Sequence, residues 1–148
     1  MNLVVLRPGL SSGSKRRGKE KLAVSNEQRA ISIRQPWAYA ILHLGKDIEY
    51  GPMRTHFRGR ILIQASLKVE EDEARELKLD PEKLSTGAIV GSVEVVDCIR
   101  GEWANRGRRH WVLKNPRFLA KPVPFEEALG FIRISDRTLK GARFRTPL

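Results

Sequence analysis

Lys46 and Glu49, three residues apart in Gly45-Lys46-Asp47-Ile48-Glu49, are the pair in this chain best suited to recognition or acid–base work. An ammonium beside a carboxylate forms an ion pair; a lysine whose pKa is lowered by burial or neighbouring cations becomes a base. Other polar groups stand close in sequence. Ser32-Ile33-Arg34-Gln35 puts a hydroxyl, a guanidinium and an amide just before a helix start, where backbone N–H groups face outward. Arg54-Thr55 and Arg58-Gly59-Arg60 lead into a strand in which Gln64 and Ser66 share the face opposite Ile61, Ile63 and Ala65. An amide and a hydroxyl near Lys and Arg suit a base edge or a sugar. The same residues read equally well as a solvated face whose cations pair with Asp47 and Glu49.

A second constellation lies at 100–121, with seven basic side chains and one acid, a net of +6. Trp103, Trp111 and Phe118 are interleaved there with Arg106, Arg108, Arg109, Lys114 and Arg117. Bases stack on aromatic faces while cations track the phosphates, so this pattern suits single-stranded nucleic acid. Trp111 and Phe118 fit a strand core just as well, and Trp37 reads as core. The whole chain of 148 residues carries +11. That field attracts polyanions and speeds their encounter without defining a site. RNA or a nucleotide-like ligand is the expected partner, an acidic protein the alternative.

Much chemistry is excluded. The chain has no Walker loop, no Gly-x-Gly-x-x-Gly and no Gly-x-Ser-x-Gly. His43, His56 and His110 lack ligand spacing, and Cys98 is a lone cysteine, so neither a metal nor another cofactor is expected. No apolar run approaches the ~18–20 residues of a membrane span, and the opening Met-Asn-Leu-Val-Val-Leu is too short for a secretory core. A cytoplasmic protein is expected, without membrane association.

The elements that must position these residues are short. Residues 1–29 carry seven basic and two acidic side chains and read as a disordered basic tail. Ala30–Ile33 reads as a strand, and Pro36 opens a helix with Trp37, Ala40, Ile41 and Leu44 on one stripe and Gly45 as its cap. Residues 46–58 form a loop flanked by extended pieces. Arg60–Ser66 is a strand, Val69–Leu79 an acidic-fronted helix, and Ala88–Cys98 a strand rich in Val and Ile. His110–Lys114 and Phe118–Val123 are strands parted by a turn at Asn115-Pro116. One helical turn at Phe125–Leu129, a strand at Gly130–Ser135 and a frayed basic tail at 136–148 complete the chain. Strands outnumber helices without the alternation of a doubly wound sheet. The expectation is a mixed α+β, mostly β domain over 30–135: a small barrel with two helices packed against it.

The block Ser-Ile-Arg-Gln-Pro-Trp-Ala-Tyr-Ala-Ile at 32–41 resembles the opening signature of the ASCH domain family. The likeness continues through Gly45 to Glu49, Arg54-Thr55, Arg58 to Ser66, Gly87 to Gly91, Asp97-Cys98 and Trp111 to Leu113, and closes at Pro122–Pro124 and Ala128–Phe131. It covers residues 30–135 in order. The resemblance implies a PUA-like β-barrel with an RNA-binding cleft, Lys46 and Glu49 at the cleft floor and Arg54 beside them. Some small proteins of this type are hydrolases acting on N4-acetylcytidine through a Lys, a Thr and a Glu, and others are described as ribonucleases. This chain departs from the hydrolase pattern, with Glu49 three after Lys46 where those enzymes carry Thr. Leu44 also replaces the usual Gly two before the lysine. Thr55 could substitute for the missing Thr, and Lys46, Glu49 and Thr55 form the catalytic expectation, were the domain a metal-independent hydrolase. The binding expectation comprises Ser32, Arg34, Gln35, Lys46, Arg54, Arg58, Gln64, Ser66, Arg108, Arg109, Trp111 and Lys114.

Overall fold

Val, Ile and Leu recur in short runs along most of this chain, and such runs are stable only when strands bury them on both faces. The computed structural model describes residues 27–51, 54–100, 109–126 and 131–147. Among them the chain runs β1 (Glu27–Gln35), α1 (Trp37–His43), β2 (Ile48–Gly51), β3 (Gly59–Val69), α2 (Glu71–Glu76), a 3-10 turn (Pro81–Lys83), β4 (Ala88–Arg100), β5 (Arg109–Pro124), β6 (Phe131–Ser135) and β7 (Phe144–Arg145). The architecture is mostly β with two helices, as the sequence led us to expect. The seven strands make one mixed sheet in the order β2-β5-β4-β3-β1-β6, with β7 also pairing β5. Among the described residues no ladder joins β2 to β6, so the expected barrel closure is not present as strand pairing.

β1 and β3 run parallel, Ala30 opposite Leu62 and Gln35 opposite Val69, while β1 and β6 run antiparallel. Successive side chains on these strands enter two different cores. Ile31, Ile33, Ile61, Ile63, Ala65, Val93, Val95, Trp111 and Leu113 pack with Ala38, Ile41 and Leu42 of α1. Ala30, Leu62, Ile89, Leu119, Ile134 and Leu139 form the second cluster behind the sheet. α1 comes unusually close to β4 because position 91 has no side chain. A Cβ there would stand 2.8 Å from the Leu42 methyls and 2.3 Å from the Arg117 carbonyl oxygen.

Four expectations change. Asn115-Pro116 does not divide two strands: β5 is continuous and takes up the extra residue as a bulge between Lys114, opposite Glu94, and Arg117, opposite Ser92. Asn115 adopts φ 53°, donates from Nδ2 to Glu94 at 2.9 Å, and its carbonyl accepts from Arg60 at 2.7 Å. The acidic helix spans only Glu71–Glu76, since β3 extends through Val69 and Lys78 turns to φ 64°. The expected frayed tail instead turns back at 136–141: Leu139 is buried, and Phe144 pairs with Leu119. β1 begins two residues before the expected end of the N-terminal tail, at Glu27, opposite Ser135. The rest of that tail, the loop with Trp103, Arg106 and Arg108, and the helical turn beyond Glu126 lie outside the described residues. Among the described residues no helix is long and apolar enough to cross a membrane.

Candidate functional site

The parallel pairing of β1 and β3 brings the ends of both strands to the same side of the sheet. The Glu70 N–H donates to the Gln35 carbonyl at 2.8 Å, which fixes Glu70 beside Arg34 and Trp37. Its carboxylate lies 3.6 Å from the Arg34 guanidinium and accepts from the Trp37 indole N–H at 3.4 Å. Trp37 is partly buried and packs against the first core, as expected of it, while its indole N–H serves a polar edge.

Lys46 reaches the same region from the other end of α1. Gly45, at φ 79°, carries the chain out of the helix, and the Lys46 N–H donates back to the Ala40 carbonyl at 3.1 Å. This is a glycine-dependent helix end, and it aims the Lys46 side chain. The ammonium donates to the Ile48 carbonyl and lies 3.2 Å from Glu49 Oε1. It also stands 5.9 Å from the Trp37 ring centre and 5.6 Å from that of Tyr50, within cation–π range of both. Glu49 itself is held by β2, opposite Trp111 of β5. That register places its carboxyl at the margin of the first core. Burial, the dominant influence, raises its pKa above the ordinary glutamate range, and Glu70 pushes the same way; Lys46 opposes both. The result is a cation within reach of two aromatic rings and paired with a half-buried carboxyl, with a second carboxylate and a guanidinium adjoining.

Two of the expected polar residues, Lys46 and Glu49, meet as the sequence suggested, and Arg34 joins them through Glu70. The others are placed differently. Gln35 is 2% exposed; its amide donates to the Ser85 carbonyl and its oxygen accepts from the Tyr39 N–H, so it braces α1. Ser32 and Gln64 are opposite each other in the β1–β3 ladder, on the face of Ala30 and Leu62 and away from Lys46. Gln64 is buried and donates to the Phe125 carbonyl at 2.6 Å; its Oε1 and Ser66 Oγ are buried with no hydrogen-bond partner among the described residues. Thr55 is buried too, and its hydroxyl accepts from the Phe57 N–H. Arg58 binds the Thr55 and Phe57 carbonyls and lies 3.4 Å from Asp97. Arg54 and Lys114 are exposed, and Arg109 is half-buried opposite Gly51 and Arg100. Trp111, at 2% exposure, is core and offers no face for stacking.

Glu70 and Tyr50 were missed by sequence reasoning. Glu70 looked like the start of an acidic helix, and only the parallel ladder brings it to Arg34. Tyr50 carried a signal, an aromatic next to Glu49. Among the described residues no group of three or more His, Cys, Asp or Glu is arranged to hold a metal. Comparison of the sequence with models of known protein families gives no match, and comparison with curated proteins gives none either.

Proposed function

We propose that this chain is a small ASCH-type domain that binds RNA or a nucleotide through the cleft at Lys46 and Glu49. The observation that carries the reading is the 3.2 Å Lys46–Glu49 pair, whose ammonium lies 5.9 Å from the Trp37 ring centre and 5.6 Å from that of Tyr50. A nucleobase needs a flat apolar surface and an adjacent donor and acceptor for its edge, roles for which the rings, the ammonium and the carboxyl are the candidates once the Lys46–Glu49 pair exchanges its partners. The net charge of +11 provides phosphate attraction that weakens steeply with salt. A PUA-like barrel is the fold we propose to accompany this role. It is supported by β7, which pairs β5, and β6, which pairs β1, being joined by the short segment 136–143 around one core cluster. We place the domain in the cytoplasm on the same reading.

Fluorescence anisotropy with single-stranded RNA, duplex RNA and single-stranded DNA tests the proposal at low and physiological salt. Single-stranded RNA is expected to bind best, and Lys46→Met and Glu49→Gln each to weaken it about tenfold, or ~1.4 kcal/mol. Equal affinity for all three, abolished by salt and untouched by both variants, would leave only a basic surface suited to an acidic partner.

A hydrolase reading has one observation in its favour, the raised pKa of Glu49, since general acids are tuned this way. Acetate release from N4-acetylcytidine and cleavage of labelled RNA are its assays; no turnover in either rejects it.

A further inference from the structure

A second cleft, of about 280 Å³, opens between α1, the 3-10 turn and the later half of β5. Its lining includes none of Arg34, Trp37, Lys46, Glu49, Tyr50 or Glu70. One wall is a run of rings. Tyr39 and His43, one helical turn apart, have centroids 4.5 Å apart at an interplanar angle of 37°, and His43 lies 4.8 Å from Phe118. The floor is aliphatic, with Leu42, Val90 and Leu119 all buried. Gly91 makes that floor possible, because it lets Leu42 settle onto β4. Gln35 is a fixed part of the wall, with both ends of its amide bound internally.

One cation edges the cleft: Lys83 lines it and is exposed. Arg145 is opposite Phe118 in the β5–β7 ladder. Among the described residues the lining contains no carboxylate. Burial lowers the His43 pKa, which favours an uncharged ring in the wall. Tilted rings over an aliphatic floor suit a planar heteroaromatic group, and the Lys83 ammonium at the edge suits an anion attached to it. The volume suits one such unit.

We propose that this cleft is a separate binding site for a single nucleotide, its base against the Tyr39–His43–Phe118 wall and its phosphate at Lys83. The site goes beyond the reading of the Lys46–Glu49 cleft and does not rest on it. The nucleotide is either free or part of an RNA strand, and both sources present the same chemistry.

Amide NMR titration of the full chain with AMP, UMP, adenosine and a 5′-phosphorylated trinucleotide tests it. Saturable shifts are expected at Tyr39, His43, Ser85 and Phe118. Lys83→Glu should weaken AMP about fivefold, the upper range for an exposed charge pair, while leaving adenosine unchanged. Tyr39→Ala should weaken both, and the spectra report directly whether each variant remains folded. Lys46→Met should leave the AMP response at this cleft intact, which separates this site from the first. A response to mononucleotides identifies a free-nucleotide site, and a response to the trinucleotide alone identifies a strand-binding one. The proposal is overturned by the lack of saturable shifts at these residues up to about 10 mM of any probe, a concentration that covers even weak binding. Shifts indifferent to both Lys83→Glu and Tyr39→Ala would overturn it equally.

Discussion

Replacing Lys46 by methionine probes the balance that holds the Lys46–Glu49 cluster together. The ammonium lies 3.2 Å from Glu49 Oε1, and the two side chains are 22% and 20% exposed. Coulomb attraction at that distance with an effective dielectric of ~20 gives about 5 kcal/mol before desolvation, an upper bound. Exposed pairs contribute roughly 0–1 kcal/mol, and breaking a fully buried pair costs about 3–5. A pair four-fifths shielded falls between, so Lys46→Met should cost about 2 kcal/mol at pH 8. Its pH dependence is the sharper test. The Glu49 pKa is raised from 4.5 by burial, so its contribution to stability in the wild type is fully present below that value and is lost as pH rises through the folded-state pKa. Lys46 supplies the two influences that lower the Glu49 pKa. Without it the pKa climbs further, and the loss on raising the pH becomes steeper. At pH 4, below the ordinary glutamate value, the ion-pair loss fades, leaving the lost bond to the Ile48 carbonyl, about 1 kcal/mol, and the ring contacts of the ammonium, which are lost at both pH values. Urea unfolding at pH 4 and 8 measures the difference, and Lys46→Met with Glu49→Gln should recover most of the pH 8 loss. An equal cost at both pH values, or no recovery in the double variant, refutes the argument that these two groups are coupled.

Gly91→Ala should cost about 3 kcal/mol or more and lower Tm by roughly 6–12 °C in a scanning calorimeter, since the new methyl meets Arg117 backbone as well as Leu42. Gln35→Leu should cost about 2–4 kcal/mol in urea, because it leaves the Tyr39 N–H and the Ser85 carbonyl without their partner; a near-neutral result would show that water replaces the amide. Trp111→Phe should cost about 1–2 kcal/mol while leaving single-stranded RNA affinity within about twofold. A large loss of affinity at unchanged stability would return Trp111 to the interface.

The local chemistry of this chain was legible in its sequence, and its long-range geometry was not. Pro36 and Gly45 bracket a helix whose ends the structure places at Trp37 and His43, and their spacing carried Lys46 and Glu49 to one another. Period-two patterning named β3 and β4 but could not say which face of β3 mattered. Ile61 to Ala65 are buried without a break, so Gln64 lies in a second core and not on an open surface. Asn115-Pro116 has the composition of a turn, and the ladder to β4 holds it within a strand. Trp111 lies among arginines in sequence, yet strand alternation turns its ring inward. Glu70 is the clearest case: it is 36 positions from Arg34, as their numbers show, and nothing short of the β1–β3 pairing relates them. Leu139 and Phe144 stand alone in a basic stretch, too sparse a pattern to announce a buried segment.

β1 lies between β3 and β6, and its two partners become available at very different times in the life of the chain. Residues 59–69 emerge from the ribosome soon after β1, whereas residues 131–135 follow Glu27 by roughly 100 positions, or about 5–20 s of synthesis. Throughout that interval one edge of β1, with its unpaired backbone N–H and C=O groups, has no neighbour within the sheet. Such an edge is a template for pairing with another chain. Nascent copies of this protein translated close together are thus most exposed to mispairing just before β6 arrives. Truncations that stop short of Phe131 should aggregate even though both helices and the Lys46–Glu49 pair are already encoded.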